Sequence, residues 1–71
     1  MNLDLLKNKI EQSNTSRNAI AEALGITRQG LYNKLDGKKE FKGSEIKIIS
    51  SMLNLTPAER DAIFFNDYVG I

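Results

Sequence analysis

Apolar residues recur along this chain at intervals of three and four, and no window shows the strict apolar–polar alternation of a half-buried strand. The pattern predicts five short helices. Leu3, Leu6 and Ile10 share one face of a first helix running from about Leu3 to Ser13, with Asn2 as its N-cap. The polar run from Ser13 to Ser16 favours local side-chain bonds over helix and makes a connector, after which Ser16 caps a second helix carrying Ile20, Ala21 and Leu24. Gly25 ends that helix at the place where a left-handed residue carries no Cβ penalty. Two residues later Thr27 caps a third helix, with Leu31 and Leu35 on its inner face, and Gly37 stops it.

Ser44 is the expected cap of a fourth helix, in which Ile46, Ile49 and either Met52 or Leu53 fall three or four residues apart, with Asn54 at its end. The clearest boundary follows. Thr56 stands at an N-cap, Pro57 has its φ preset at the first helical position, and Glu59 closes a capping box. The fifth helix is predicted from Pro57 to about Phe65 or Asn66. One residue breaks the pattern: Gly30, inside the third helix, costs about 1 kcal/mol relative to alanine and reads as a lax surface position in preference to room for close approach to DNA or another chain.

With 71 residues the chain has room for one all-α domain, 1–71, close to the smallest size at which a core holds without staples. Cysteine and histidine are both absent. That excludes disulfides, thiol chemistry, imidazole catalysis and most transition-metal sites, and no cofactor is expected. The carboxylates are scattered singly and no nucleophile has a base beside it, so an enzyme is not expected. The apolar runs are short and the start MNLDLLKNK lacks a secretory pattern, which points to a cytoplasmic protein with no membrane partner and no small-molecule substrate.

A net charge of +1 is low for a nucleic-acid binder, yet its distribution is polarised. From Thr27 to Lys42 five cations face two carboxylates, whereas from Gly43 to Ile71 two cations face four. The basic part begins with the third helix, which Gly25 sets so close to the second that the two must cross steeply, the geometry of a helix-turn-helix at about residues 16–37.

Within RNAIAEALGITRQGLYNKLDGKKEF, the apolar Ile20, Leu24, Ile26 and Leu31, the small Ala21 and the turn Gly25 keep the spacing of that motif. Here the chain resembles the phage-repressor and Cro family of helix-turn-helix regulators, also called the xenobiotic-response-element type, and especially short members from phages and prophages of low-GC Gram-positive bacteria. The resemblance spans roughly Leu3 to Phe65. It implies a compact five-helix lambda-repressor-like domain that regulates transcription in the bacterial cytoplasm, as a Cro-like repressor binding double-stranded operator DNA.

Carried over by position, Arg28, Gln29, Tyr32 and Asn33 become the base-reading candidates. Their chemistry agrees, since arginine can bond guanine O6 and N7 as a fork while glutamine and asparagine can do so with adenine N6 and N7. Arg17, Thr27, Lys34, Lys38, Lys39 and Lys42 become the phosphate contacts that set register, Thr27 chiefly as a cap whose helix N-terminus favours anions. The apolar end, with Ile63, Phe64, Phe65, Tyr68 and Val69, holds more bulk than one face of a terminal helix can bury and reads as a protein interface. The implied partner there is a second copy, because two half-sites one turn apart need a two-fold dimer. Some short members of the family instead bind a cognate CI-type repressor as modulators of repression or antirepressors, and the acids Asp36 and Glu40 beside the third helix keep that alternative in view.

Overall fold

The computed structural model describes residues 1–65, which form five helices and no strand. They are α1 (Leu3–Gln12), α2 (Arg17–Leu24), α3 (Arg28–Leu35), α4 (Gly43–Met52) and α5 (Pro57–Phe64). None of them is long and apolar enough to cross a membrane.

Four of the helices begin where a short polar side chain takes up an otherwise orphaned amide. Asn2 Oδ1 accepts from Leu5 N at 3.1 Å, Ser16 Oγ from Ala19 N at 3.0 Å, Thr27 Oγ1 from Gly30 N at 3.0 Å and Thr56 Oγ1 from Glu59 N at 3.1 Å. At α5 the bond is returned, Glu59 Oε1 accepting from Thr56 N at 2.9 Å, which completes the capping box. The connector after α1 is held by Ser13, whose hydroxyl donates to Ile10 O at 2.7 Å and accepts from Thr15 N at 3.2 Å.

The start of α4 differs from the expectation. Ser44 is not its cap: the helix begins at Gly43, with Lys42 in the N-cap position. A lysine side chain has no acceptor, so capping comes from the other direction, Glu45 Oε1 accepting from Lys42 N at 2.8 Å.

Between α2 and α3 the turn is Gly25-Ile26-Thr27. Gly25 takes φ +71°, and this lets Ile26 N donate back to Ala21 O at 3.0 Å. Gly30, expected to be a lax position, is half-buried against this turn: a Cβ there would lie 3.3 Å from Thr27 Oγ1 and 3.7 Å from Ile26 Cβ. The methyl would press on the hydroxyl that caps the helix, so the missing side chain has a local use. At the other ends, Asn54 at φ +53° closes α4 and Gly37 at φ +83° turns the chain after α3.

All five helices contribute to one core. Leu6 and Ile10 from α1, Ile20 and Ala21 from α2 and Leu31 and Leu35 from α3 are buried, and Ile46 and Ile49 enter from α4. Both Met52 and Leu53 pack against its margin. Phe41, from the loop between α3 and α4, is also buried and meets Phe64 edge to face with centroids 5.7 Å apart, a favoured aromatic geometry.

This arrangement corrects two of the predicted interface residues. Ile63 and Phe64, 0% and 4% exposed, are core: α5 packs on α1, with Asn2 N donating to Ile63 O at 2.6 Å, and Phe64 fills the space beside Phe41. Phe65 remains on the surface at 37% exposure, while Tyr68 and Val69 lie outside the described residues.

The α1–α5 contact also carries charge. Lys9 Nζ donates to Glu59 Oε2, and this bond, followed by the Thr56 amide, holds the Glu59 carboxyl down from its ordinary 4.5 to about 2. A carboxylate whose pKa is lower folded than unfolded contributes stability above the unfolded value and loses it as pH falls through the folded one. The urea midpoint should therefore drop between about pH 4.5 and pH 2, and Glu59→Gln should flatten that slope; an unchanged slope would show that the pair contributes nothing. Phe64→Ala should cost about 3–5 kcal/mol in urea unfolding, whereas Phe65→Asp should leave the circular dichroism of a folded helical domain.

Candidate nucleic-acid interface

The segments proposed to act together are the N-terminus of α2, the outward face of α3 and the loop that follows it. Thr27 leaves the first amides of α3 pointing out of the helix, and Arg28 and Gln29 stand exposed beside them. Gln29 Nε2 donates to Asn33 Oδ1 at 3.1 Å, as residues four apart on one face allow. The bond leaves Gln29 Oε1 and Asn33 Nδ2 as outward acceptor and donor.

Tyr32 is half-buried, and the Arg17 guanidinium carbon lies 5.5 Å from its ring centroid. That cation–π contact joins the start of α2 to the middle of α3 and narrows the volume in which Arg17 moves. Arg17, Arg28, Gln29 and Asn33 are thereby set on two packed helices, α2 and α3.

Lys34 does not belong with the predicted phosphate contacts. It is 7% exposed, with Nζ 2.9 Å from Glu45 Oε1 and 3.1 Å from Glu40 O, and it sits 5.8 Å from the Phe41 ring centroid. The physical reason is helical phase: residue 34 follows Leu31 by one turn and adjoins Leu35, so its stem runs along the core side while its ammonium finds a carboxylate there. Burial pushes the Glu45 carboxyl up, but the Lys42 amide and the Lys34 ammonium outweigh it and leave the group below its ordinary range. Spacing from Leu31 was the one signal in the sequence that pointed to this inward side chain.

The other three lysines, Lys38, Lys39 and Lys42, are exposed in the loop 36–42. Its path is defined by backbone bonds at one end, Lys38 N donating to Asn33 O at 2.9 Å, and by Glu45 at the other. Asp36 and Glu40 are exposed in the same loop, so the local positive charge is smaller than the lysine count suggests. A cleft of about 510 Å³ lies elsewhere among the described residues, between α4 and α5, lined by Ile46, Lys47, Ser50, Arg60 and Phe65. It shares Phe65 with the predicted protein interface and nothing with the α3 face.

No protein-family model, curated protein or solved structure matches this chain.

The burial of Lys34 separates it experimentally from its neighbours. Lys34→Met leaves the Glu45 carboxylate buried without its cation and should cost about 3 kcal/mol in urea unfolding, while Lys38→Met should stay within about 0.5 kcal/mol of the parent. Equal small effects would place Lys34 on the surface.

Proposed function

We propose that this protein is a small DNA-binding transcriptional regulator of the phage-repressor and Cro type. On this reading α2 and α3 act as a helix-turn-helix of a lambda-repressor-like domain, and a dimer occupies operator DNA in the bacterial cytoplasm. The observation that carries it is the outward face of α3. Arg28 and Gln29 stand exposed at the helix start, Gln29 is bonded to Asn33, and Arg17 stacks on Tyr32 beside them. An arginine fork and a pre-bonded amide pair offer the donors and acceptors that base edges require in the major groove. Arg17, Lys38, Lys39 and Lys42, together with the α3 N-terminus at Thr27, then supply phosphate contacts. Occupying the site is sufficient for repression, and the reading involves no catalytic step.

A second reading draws on two other observations. With Lys34 internal, the exposed charge near α3 is modest, and Phe65 borders an apolar cleft between α4 and α5. These features suit a modulator of repression or antirepressor whose main target is a cognate CI-type repressor.

A mobility-shift titration with the protein's own promoter region, in moderate salt and with or without that repressor, separates the two. Salt-sensitive binding by the protein alone, far tighter than to random DNA, supports the regulator. A shift that changes only when the repressor is present supports the modulator instead. For the regulator, Arg28→Ala or Gln29→Ala should lose about 1–3 kcal/mol on the specific site and relax its sequence preference there. Equal losses on specific and random DNA would remove these residues from base reading.

A further inference from the structure

The loop 36–42 carries three exposed lysines and two exposed acids; its first half is held by the Lys38 amide on Asn33 O at 2.9 Å and by Asp36, 3.9 Å from Lys7 Nζ. The loop's only buried side chain is Phe41. Beyond the Lys38 amide bond, the Lys34 side chain reaches from α3 to the second half of the loop. From one ammonium it reaches the Glu40 carbonyl in the loop at 3.1 Å and the Glu45 carboxylate in α4 at 2.9 Å, over the Phe41 ring. The same Glu45 oxygen accepts the Lys42 amide at 2.8 Å, so the loop's last residue hangs on the acid that Lys34 engages. An ammonium held between two acceptors specifies a path in a way that an apolar side chain of equal length does not.

We propose that Lys34 is a positioning residue: the Lys34–Glu45 pair latches the loop to the end of α3, so that Lys38, Lys39 and Lys42 meet phosphates at a fixed distance from the base-reading face. The inference rests on the DNA-binding reading above. Lys34 itself touches no nucleic acid. It acts through the loop, and its loss should lower affinity for all DNA alike while leaving the preference of Arg28 and Gln29 intact.

The double variant Lys34→Met/Glu45→Gln tests this, because glutamine still accepts the Lys42 amide and no unpaired charge remains buried. Amide exchange at Lys42 should speed up in the free protein, because its bond to residue 45 is kept but the acceptor is no longer held by Lys34. The slope of log affinity against log salt should fall by about one to two, one unit corresponding to one lost phosphate contact, with the ratio of specific to random binding retained. A second variant, with one glycine inserted between Lys38 and Lys39, lengthens the loop without touching the core and keeps the test open if the double variant does not fold. It should give the same loss of slope. Unchanged exchange in the double variant would overturn the latch, and an unchanged slope in both variants would overturn its role in spacing the lysines. Parent protein that binds no DNA would overturn the functional reading and the spacing role with it, while the exchange comparison would still decide whether Lys34 holds the loop.

Discussion

A helix of eight to ten residues does not persist in water by itself, because the unfavourable first turn is offset only over a longer run. Every helix here is that short. Each must have its ends closed and one face buried at the same time, and the remaining features of the fold follow from that double requirement. The ends are closed by Asn2, Ser16, Thr27 and Thr56, each bonding the amide three residues on, and by Glu45 reaching backward. Such a cap contributes about 1 kcal/mol, which is large beside the 5–15 kcal/mol that separates an ordinary domain from its unfolded state. Closing an end with a single side chain also leaves the connector free to be short. Three residues suffice between α2 and α3, because Gly25 adopts φ +71° and Thr27 caps at once.

The buried Lys34–Glu45 pair is a different kind of feature, since it adds little net stability. Removing two charges from water costs about as much as their attraction returns, and a well-packed apolar pair is often as good. What the pair adds is direction. The burial of Leu31, Leu35 and Phe41 is non-directional, whereas the Lys34 ammonium bonds both the Glu40 carbonyl and the Glu45 carboxylate. The Lys9–Glu59 bond plays the corresponding part on the other side, tying the last turn of α1 to the capping box of α5.

Helix positions and most caps were legible in the sequence because they depend on residues three or four apart. Thr56, Pro57 and Glu59 illustrate this, as does the left-handed Gly25. The features that were not legible depend on distant partners. Ile63, Phe64 and Phe65 are consecutive and apolar, so periodicity cannot choose which face inward; Phe41, twenty-three positions before Phe64, makes that choice. Lys34 read as a surface cation because its partner Glu45 lies eleven residues away, across a loop without periodic pattern. Ser44 read as a cap because the bond that replaces it comes from a carboxylate inside the helix. Within the candidate site, the Gln29–Asn33 bond follows from i, i+4 spacing, whereas the Arg17–Tyr32 contact depends on how α2 meets α3.

The net charge of +1 describes the surface poorly, because opposite charges are not removed at random. Glu45 and Glu59 are engaged by Lys34 and Lys9, and those four groups contribute little at a distance. Arg28, Lys38, Lys39 and Lys42 stay exposed with Asp36 and Glu40 among them. At physiological ionic strength charges more than about 8 Å apart are largely screened, so a partner near α3 responds to the local groups more than to the net charge of the chain. A surface with so few free cations gives weak non-specific attraction to phosphate. On the proposed reading, selectivity then falls on the arginine fork of Arg28 and the coupled Gln29 and Asn33, while the lysines of the loop add affinity for any sequence.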